Sequence, residues 1–450
     1  MATTSFMCSF THAAVTREPA CDVGLQEACR SLVPRRPNAA SQPARSEGSF
    51  LQGSRIMAYD VCVIGAGPVG ASLACRLGTA GRTVAIVDRA PLPPMEHPDF
   101  DGRAYAIAAG SRPLLEDAGV WDKLPLPAGP IEEIRVSDGR PGRPASPLFL
   151  HFDHADLGGA PLGWMVEARS LRVAVNARLH DLPSVTVHAP AEATVERNPA
   201  GATIRLSDGT TLQARLVVAA EGRASPQRRA AGLSAAGWAY RQAGMVCAIA
   251  HSLPHHNTAL EHFLPAGPFA QLPMAPGEAG EHLSAIVWTD DAANARRLMA
   301  LDDAAYGAEV ARRLGPHLGD IRLVGRRWLY PLSALYVHRI IAERLALVGD
   351  AAHGIHPIAG QGLNLGLRDA IALSNLLLEP GADPGDPALL KRYQRARRLD
   401  HVSMLLATDG LDRLFSTANP IARAARVLGI GAVQRLPRLK RAFMKQAMGT

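Results

Sequence analysis

One short segment limits what this chain can fold into. A β-rich run at residues 59–64 leads directly into Gly65-Ala66-Gly67-Pro68-Val69-Gly70, a helical pattern at 69–79 and a second β-rich run at 83–87. Strand, glycine turn, helix, strand is a βαβ unit, which requires a parallel sheet. In the G-x-G-x-x-G spacing, Gly65 permits the tight turn, Gly67 lets the backbone approach a pyrophosphate, and Gly70 lets helix and strand pack closely. The unpaired N–H groups and the dipole at the helix start favour an anion there. Asp88 follows the second strand, 23 residues after Gly65, and is placed to accept hydrogen bonds from an adenosine ribose. The pattern reads as a dinucleotide turn and does not separate NAD from FAD.

The rest of the chain bounds the possibilities further. Its 450 residues are 47% hydrophobic and 20% charged, which supplies a large core and excludes wholesale disorder. The longest uncharged stretch of the C-terminal half, residues 351–367, is rich in Gly and carries His, Gln and Asn, so no membrane-spanning helix is expected. The cysteines, Cys8, Cys21, Cys29, Cys62, Cys75 and Cys247, form no C-x-x-C pair. Cys62 and Cys75 lie in apolar runs and read as small core residues, in keeping with a reducing compartment. No metal site is expected among the 16 histidines, and His255-His256 reads as a surface loop rather than a ligand pair. The net charge of +7 is uneven, because residues 413–450 carry eight Lys/Arg and no Asp or Glu. A nucleic-acid-binding protein would more often spread its basic charge with interleaved aromatics, so a charge gathered in one tail argues against such a partner.

Residues 1–56 differ in composition from the rest of the chain and lack a hydrophobic region of secretory length. A misassigned upstream start, a disordered extension and an Arg-containing transit peptide are the alternatives. The four acidic residues count against the transit peptide, and a dispensable extension with a start at Met57 is expected. Beyond the βαβ unit, Ser111 reads as the N-cap of a helix over 111–118. Strands are predicted at 185–188, 202–206 and 216–220, with Ser207-Asp208-Gly209-Thr210 as a hairpin turn. Further strands at 245–250, 269–273, 283–289 and 321–330, with a helix near 304–314, suggest a mostly antiparallel sheet. A buried strand at 345–348 and a helix at 363–378 return to the first pattern. The first and last thirds thus read as one α/β domain split by a β-rich insertion.

Two later motifs bear on the ligand. The buried strand at 345–348 ends in Gly349-Asp350 and is followed by Ala351-Ala352-His353-Gly354-Ile355-His356-Pro357-Ile358-Ala359-Gly360-Gln361-Gly362, which opens a helix. An Asp at a strand's C-terminal end can bond a polyol such as ribityl. Gly360 to Gly362 opens a helix whose N–H groups can stabilise negative charge at a flavin's N1–O2 edge. The other motif, Glu221-Gly222-Arg223-Ala224-Ser225-Pro226-Gln227-Arg228, also follows a buried strand.

With these three motifs the chain resembles the FAD-dependent aromatic hydroxylases of the para-hydroxybenzoate hydroxylase type, and among them the ubiquinone-biosynthesis hydroxylases. The carriers are GAGPVG, the acid-G-x-x-S-x-x-R pattern at 221–228 and GDAAHGIHPIAGQGLNLGLRD at 349–369. Asp101-Gly102-Arg103-Ala104, Glu167-Ala168-Arg169, the segment TALEHFLPAGPFAQLPM at 258–274 and TDGLDRLFS at 408–416 add to it. The resemblance runs from about Tyr59 to the end. Glu221 departs from the family's usual Asp by one methylene.

The resemblance implies an α/β fold in which a Rossmann-like FAD domain with a parallel sheet is interleaved with a mostly antiparallel substrate sheet, plus C-terminal helices. The expected division is 57–124, 165–237 and 330–409 for FAD, 125–164 and 238–329 for substrate, and a basic helical tail at 410–450. It also implies roles. Gly65, Gly67, Gly70 and Asp88 hold the ADP half of FAD. Arg103 and Arg169 lie near pyrophosphate and ribityl. Gly349 and Asp350 serve the ribityl chain, and Pro357, Gly360, Gln361, Gly362 and Asn364 line the isoalloxazine. Glu221 and Arg228 serve FAD and a transient NADPH or NADH, which has no second G-x-G-x-x-G of its own.

The implied reaction is hydroxylation of a polyprenyl phenol ring by O₂ through a flavin C4a-hydroperoxide. His353 and His356 are candidate proton-handling groups, with loop capping and packing as their structural alternatives. The competing readings are another flavoprotein of the same fold, such as a halogenase or prenyl reductase, and a non-catalytic flavin-binding member of a quinone-biosynthesis assembly. A halogenase's W-x-W-x-I-P segment is absent from the sequence. In the tail, Pro420 reads as a helix start and Pro437 as a break or restart, giving two short basic amphipathic helices suited to an anionic membrane surface or a partner protein. A cytoplasmic protein peripheral to the inner membrane is expected.

Overall fold

The computed structural model describes residues 57–92, 99–142, 149–356, 360–415 and 433–449. The extension 1–56, Pro357 and tail residues 416–432 lie outside the described residues.

Five strands run parallel in the order Leu345–Leu347, Thr211–Ala219, Met57–Ile64, Val84–Val87, Val185–His188. Every residue of Val84–Val87 is buried, as a central strand covered on both faces requires. Helices Pro68–Thr79, Ala168–Asp181 and Gln361–Leu377 supply Leu73, Leu77, Leu171, Leu373 and Leu377 to the core around Val61, Ile86 and Val217. Cys62 and Cys75 sit in that core as free thiols, pushed up to about 12 by burial. A hairpin, Ala193–Asn198 with Gly201–Leu206, extends antiparallel from the Thr211–Ala219 strand. In its connection to that strand, Thr210 N donates to Asp208 Oδ1 at 2.8 Å.

The second sheet has the order His353–Gly354, Ile321–Val337, Ala235–His251, His282–Asp291, Gly267–Pro273, Thr258–Leu264, Glu133–Asp138, Phe149–Asp153. All its neighbours are antiparallel except Thr258–Leu264 beside Glu133–Asp138. Helices Ala292–Met299 and Asp303–Leu314 cover one face, packing around Met245, Ile249, Phe269, Trp288, Tyr306 and Val310. A three-stranded sheet of Ala104–Ala108, Gly163–Glu167 and Gly129–Ile131 shares a core with it through Ile131, Met165, Ala250 and Leu283.

Several elements depart from the sequence reading. The strands expected at 245–250 and 321–330 are parts of two 17-residue strands, Ala235–His251 and Ile321–Val337, paired with register shifts after Ala239 and Val246. The unread start of the first, residues 235–242, is exposed or half-buried and carries Gly237 and Arg241, whereas the unread end of the second, residues 331–337, buries Leu332, Ala334 and Val337 but begins at Pro331, which reads as a strand break. Ser111 stands at the N-cap position of Arg112–Asp117 with its backbone already helical, and its buried hydroxyl makes no capping bond. His255-His256 do lie on a loop, between His251 and Thr258, with His256 exposed and His255 half-buried: the His255 Nε2 meets the Met274 carbonyl at 3.0 Å, and Asn257 N donates to its Nδ1. Pro387–Phe415, a 29-residue helix, has no counterpart in the sequence reading. Pro437 occupies the first turn of the tail helix Pro437–Met448. Among the described residues no helix is long and apolar enough to cross a membrane.

Candidate active site

The dinucleotide turn is built by exclusion. Gly65 has φ +107, and a Cβ there would overlap the Ala220 carbonyl. At Gly70 a Cβ would overlap the Gly65 carbonyl and crowd Ala220. Both positions therefore hold the first strand, the helix and the end of the Thr211–Ala219 strand together. Gly67 is different: it is the N-cap of Pro68–Thr79, no side chain caps that helix, and a Cβ would meet nothing within 4 Å. Backbone N–H groups thus face open space at a helix start. Asp88 Oδ2 accepts from Ala66 N at 2.7 Å and Oδ1 from Ala90 N at 2.9 Å, fixing the turn and leaving acceptor capacity on both oxygens.

The Gly349-Asp350 turn lies beside it, with Gly349 at φ +59 against Val69. Asp350 is half-exposed, and Arg223 Nε donates to its Oδ2 at 3.0 Å. Glu221 accepts from Ser225 Oγ at 2.6 Å and from Gln227 N at 3.2 Å, while burial raises its pKa. Arg228 is buried; its Nη1 donates to the Ala351 carbonyl at 3.0 Å and its Nη2 to the Arg223 carbonyl. Glu221 therefore braces the acid-G-R turn internally, and Arg228 bolts that turn to the Gly349–Ala351 turn. Gly360, at φ +63, is the N-cap of Gln361–Leu377, again without a side-chain cap, and Gly362 faces open space. Asn364 ties this helix to the small sheet, accepting from Ala108 N and donating to the Ala106 carbonyl, both at 2.8 Å.

Arg103 and Arg169 flank the end of the small sheet, each held by an acid. Arg103 pairs with Asp101 and lies 4.4 Å over Trp328. Arg169 pairs with Glu167 at 2.6 Å and Glu278 at 3.1 Å.

Beneath the Gly349–Gly354 turn is a polar cluster that sequence reasoning missed. Asp369, fully buried, accepts from Gly349 N (3.0 Å), His353 Nε2 (2.9 Å), Arg397 Nε (2.7 Å) and His401 Nε2 (2.6 Å). Burial alone would raise its pKa; the His401, His353 and Arg397 charges overcome that and hold it well below the usual range. His353, Asp369 and His401 have the spacing of metal ligands. Arg397 already supplies the cation, so both carboxylate oxygens are engaged without an ion. His356 is fully buried with its ring edge-on to Tyr240 at 5.0 Å.

Between the antiparallel sheet, the small sheet and the tail helix lies an apolar cavity of about 440 Å³. Ile134, Val136, Phe152 and Leu272 form one wall, Ala106–Ala108 with Gln361 and Asn364 from the start of the Gln361–Leu377 helix another, and Phe443 and Met444 the tail side. That volume suits a small-molecule site.

Residues 58–407 match the family described as FAD binding domain. Ubiquinone hydroxylase UbiL of Rhodospirillum rubrum is 45% identical, over 92% of this chain and 94% of its own. The Escherichia coli 3-demethoxyubiquinol 3-hydroxylase is 32% identical, over 87% and 98%. Among solved structures, p-nitrophenol 4-monooxygenase PnpA of Pseudomonas putida superposes with a TM-score of 0.69 at 20% identity, over 87% of this chain and 99% of that one, and shows the shared fold. The chain belongs to the FAD-dependent hydroxylases, in their ubiquinone-biosynthesis branch. It is a flavoprotein monooxygenase. The structure fits that cofactor: two glycine-capped helix starts, at Gly67 and Gly360, are closed by no side chain and have open space at Gly67 and Gly362.

Proposed function

We propose that the protein hydroxylates the aromatic ring of a polyprenyl phenol in ubiquinone biosynthesis, with O₂ as oxidant and NADPH or NADH as transient reductant. The observation that carries this reading is the apolar cavity that meets the flavin-loop residues Gln361 and Asn364 at one end. FAD, when bound, supplies the redox chemistry and the activation of O₂. The chain's own groups bind and orient. The helix start at Gly67 takes the pyrophosphate, Asp88 the ribose, Asp350 the ribityl chain, and the Gly360–Gly362 helix start the negative edge of the ring. The apolar walls exclude water and hold the phenol against that ring. His353, fixed by Asp369, and His356 are the proton-handling candidates closest to the flavin loop in sequence.

The tail supports access to a water-insoluble substrate. Leu411, Leu414 and Phe443 line the cavity and are also exposed, so its mouth opens on an apolar patch. Leu436 and Leu439 of the same segment are also exposed, as are Arg435, Arg438, Arg441 and Lys445. Such a surface suits the headgroup region of an anionic bilayer, and it supports a position peripheral to the inner membrane. Mass spectrometry of the quinone intermediates that accumulate on deleting the gene tests the reaction. Accumulation of a prenylated phenol lacking one ring hydroxyl is expected; an unchanged quinone pool refutes it.

A further inference from the structure

We propose that Glu261 is the group that recognises the substrate's ring hydroxyl, accepting its hydrogen bond inside the cavity and setting which ring carbon faces the flavin loop. This deepens the reading of the cavity as a phenol site and rests on it.

Three observations carry the inference. First, Glu261 lines the cavity, and among the described residues it is the only titratable one that does. Second, it is only 7% exposed, yet its carboxyl makes no hydrogen bond or ion pair with any described residue. A buried carboxyl without a partner is costly, and glutamate is rarely found that way. Third, the other polar side chains at that end offer less: Asn364 bonds to the backbone of Ala106 and Ala108, and Gln361 Nε2 reaches the Ala447 carbonyl at 3.3 Å, which leaves Gln361 Oε1 as a neutral acceptor without a partner and Glu261 as the carboxyl among the described liners.

The strand explains the placement. On Thr258–Leu264, Glu261 pairs with Val136 on one side and Ala270 on the other. Alternation puts it on the same face as Ala259 and Phe263, while His262 points away and bonds Ser137. Asp138, opposite Phe263, is the acid one pair further along that face. Among the described residues, the small sheet and the tail helix contribute no charged group to the cavity wall, only residues such as Ala106, Ile107, Ala108, Phe443 and Met444. Burial pushes the Glu261 carboxyl up to about 7. It is therefore an anion above that pH and a neutral acid below it. A phenol brings the one thing the site lacks, a donor that enters with its apolar ring. A carboxylate that accepts the hydroxyl's hydrogen bond leaves more electron density on the phenol oxygen, which makes the ring more electron-rich where oxygen is delivered.

The test uses the FAD-loaded full-length protein and two probes, 2-allylphenol and its methyl ether 2-allylanisole. Binding is followed by the change in flavin absorbance at pH 6 and pH 8. For the unaltered protein, preference for the phenol of about tenfold or more at pH 8 and a smaller one at pH 6 are expected. Glu261→Gln should lose the pH dependence, and Glu261→Leu should bind both probes equally, with the FAD spectrum intact in each. Retention of the phenol preference by Glu261→Leu, or an equal preference at both pH values in the unaltered protein, overturns the role of Glu261 alone. Binding of neither probe by the unaltered protein overturns the phenol reading of the cavity, and Glu261 with it.

Discussion

Gly65 and Gly67 stand two residues apart in one turn, and a side chain does opposite damage at each. At Gly65 the obstacle is the protein itself, since φ is +107 and the Ala220 carbonyl occupies the space. Gly65→Ala is expected to lower the melting temperature of the apoprotein. At Gly67 the space is open, so Gly67→Val should melt close to the unaltered apoprotein and yet purify colourless, because the isopropyl group would fill the space through which the proposed site admits a pyrophosphate. Flavin absorbance and calorimetry on both variants check this; a yellow Gly67→Val protein would remove the turn from the cofactor site. These glycines are legible in sequence because their spacing encodes backbone geometry. Glu261 was legible only as part of a family segment. Its isolation depends on the strand register and on walls contributed from residues 106 to 448.

At the scale of elements, the helix Pro387–Phe415 shows why part of the site was hidden. Its buried positions run Leu389, Leu390, Tyr393, Arg397, His401, Met404, Leu405 and Thr408, a good helical period. Arg397 and His401 face Asp369, and those two interrupt the apolar stripe on which sequence reading depends. The parallel strands had no such interruption in their buried cores and four of them were read nearly to their ends, while Thr211–Ala219 was read only from residue 216, where its continuous buried run begins. Breaking the cluster should be costly: Asp369→Asn is expected to lose about 3 kcal/mol or more at neutral pH, since it leaves buried cations without their counter-charge. The carboxyl's folded pKa lies well below the ordinary aspartate value of 3.8. Its contribution is thus present above that pH and declines as the solution is acidified through the folded value. Denaturant titrations should show the gap between the two proteins shrinking on acidification below pH 3.8; a constant gap would mean that Asp369 is not a charged partner.

For the molecule as a whole, the tail is both a surface and a wall. Phe443 and Met444 close the cavity while Arg438, Arg441 and Lys445 face outward. A chain ending at Arg413 should lose co-sedimentation with anionic liposomes at low salt and should also bind more of an apolar fluorescent dye, since the cavity loses a side. Equal liposome binding by the two proteins would reject the lipid contact, and unchanged dye binding would reject the wall. The exposed basic face was plain in the sequence. That the same helix also borders the apolar cavity was not, because Asp156, which holds Lys440 at 2.7 Å, lies 284 residues away.

The packing of Gly65 and Gly70 against Ala220, and of Gly349 and Gly366 against Val69, carries a consequence for the order of events in synthesis. A ribosome releases the pyrophosphate turn early, but the backbone that shapes it arrives about 150 residues later, and the ribityl side later still. The N-terminal third alone has no reason to hold a nucleotide. On the proposed site, cofactor capture requires the strand at Leu345–Leu347 to be in place beside Thr211–Ala219. Stalled nascent chains exposing only residues 57–200 should therefore leave FAD free in solution, and those exposing the Gln361–Leu377 helix should retain it.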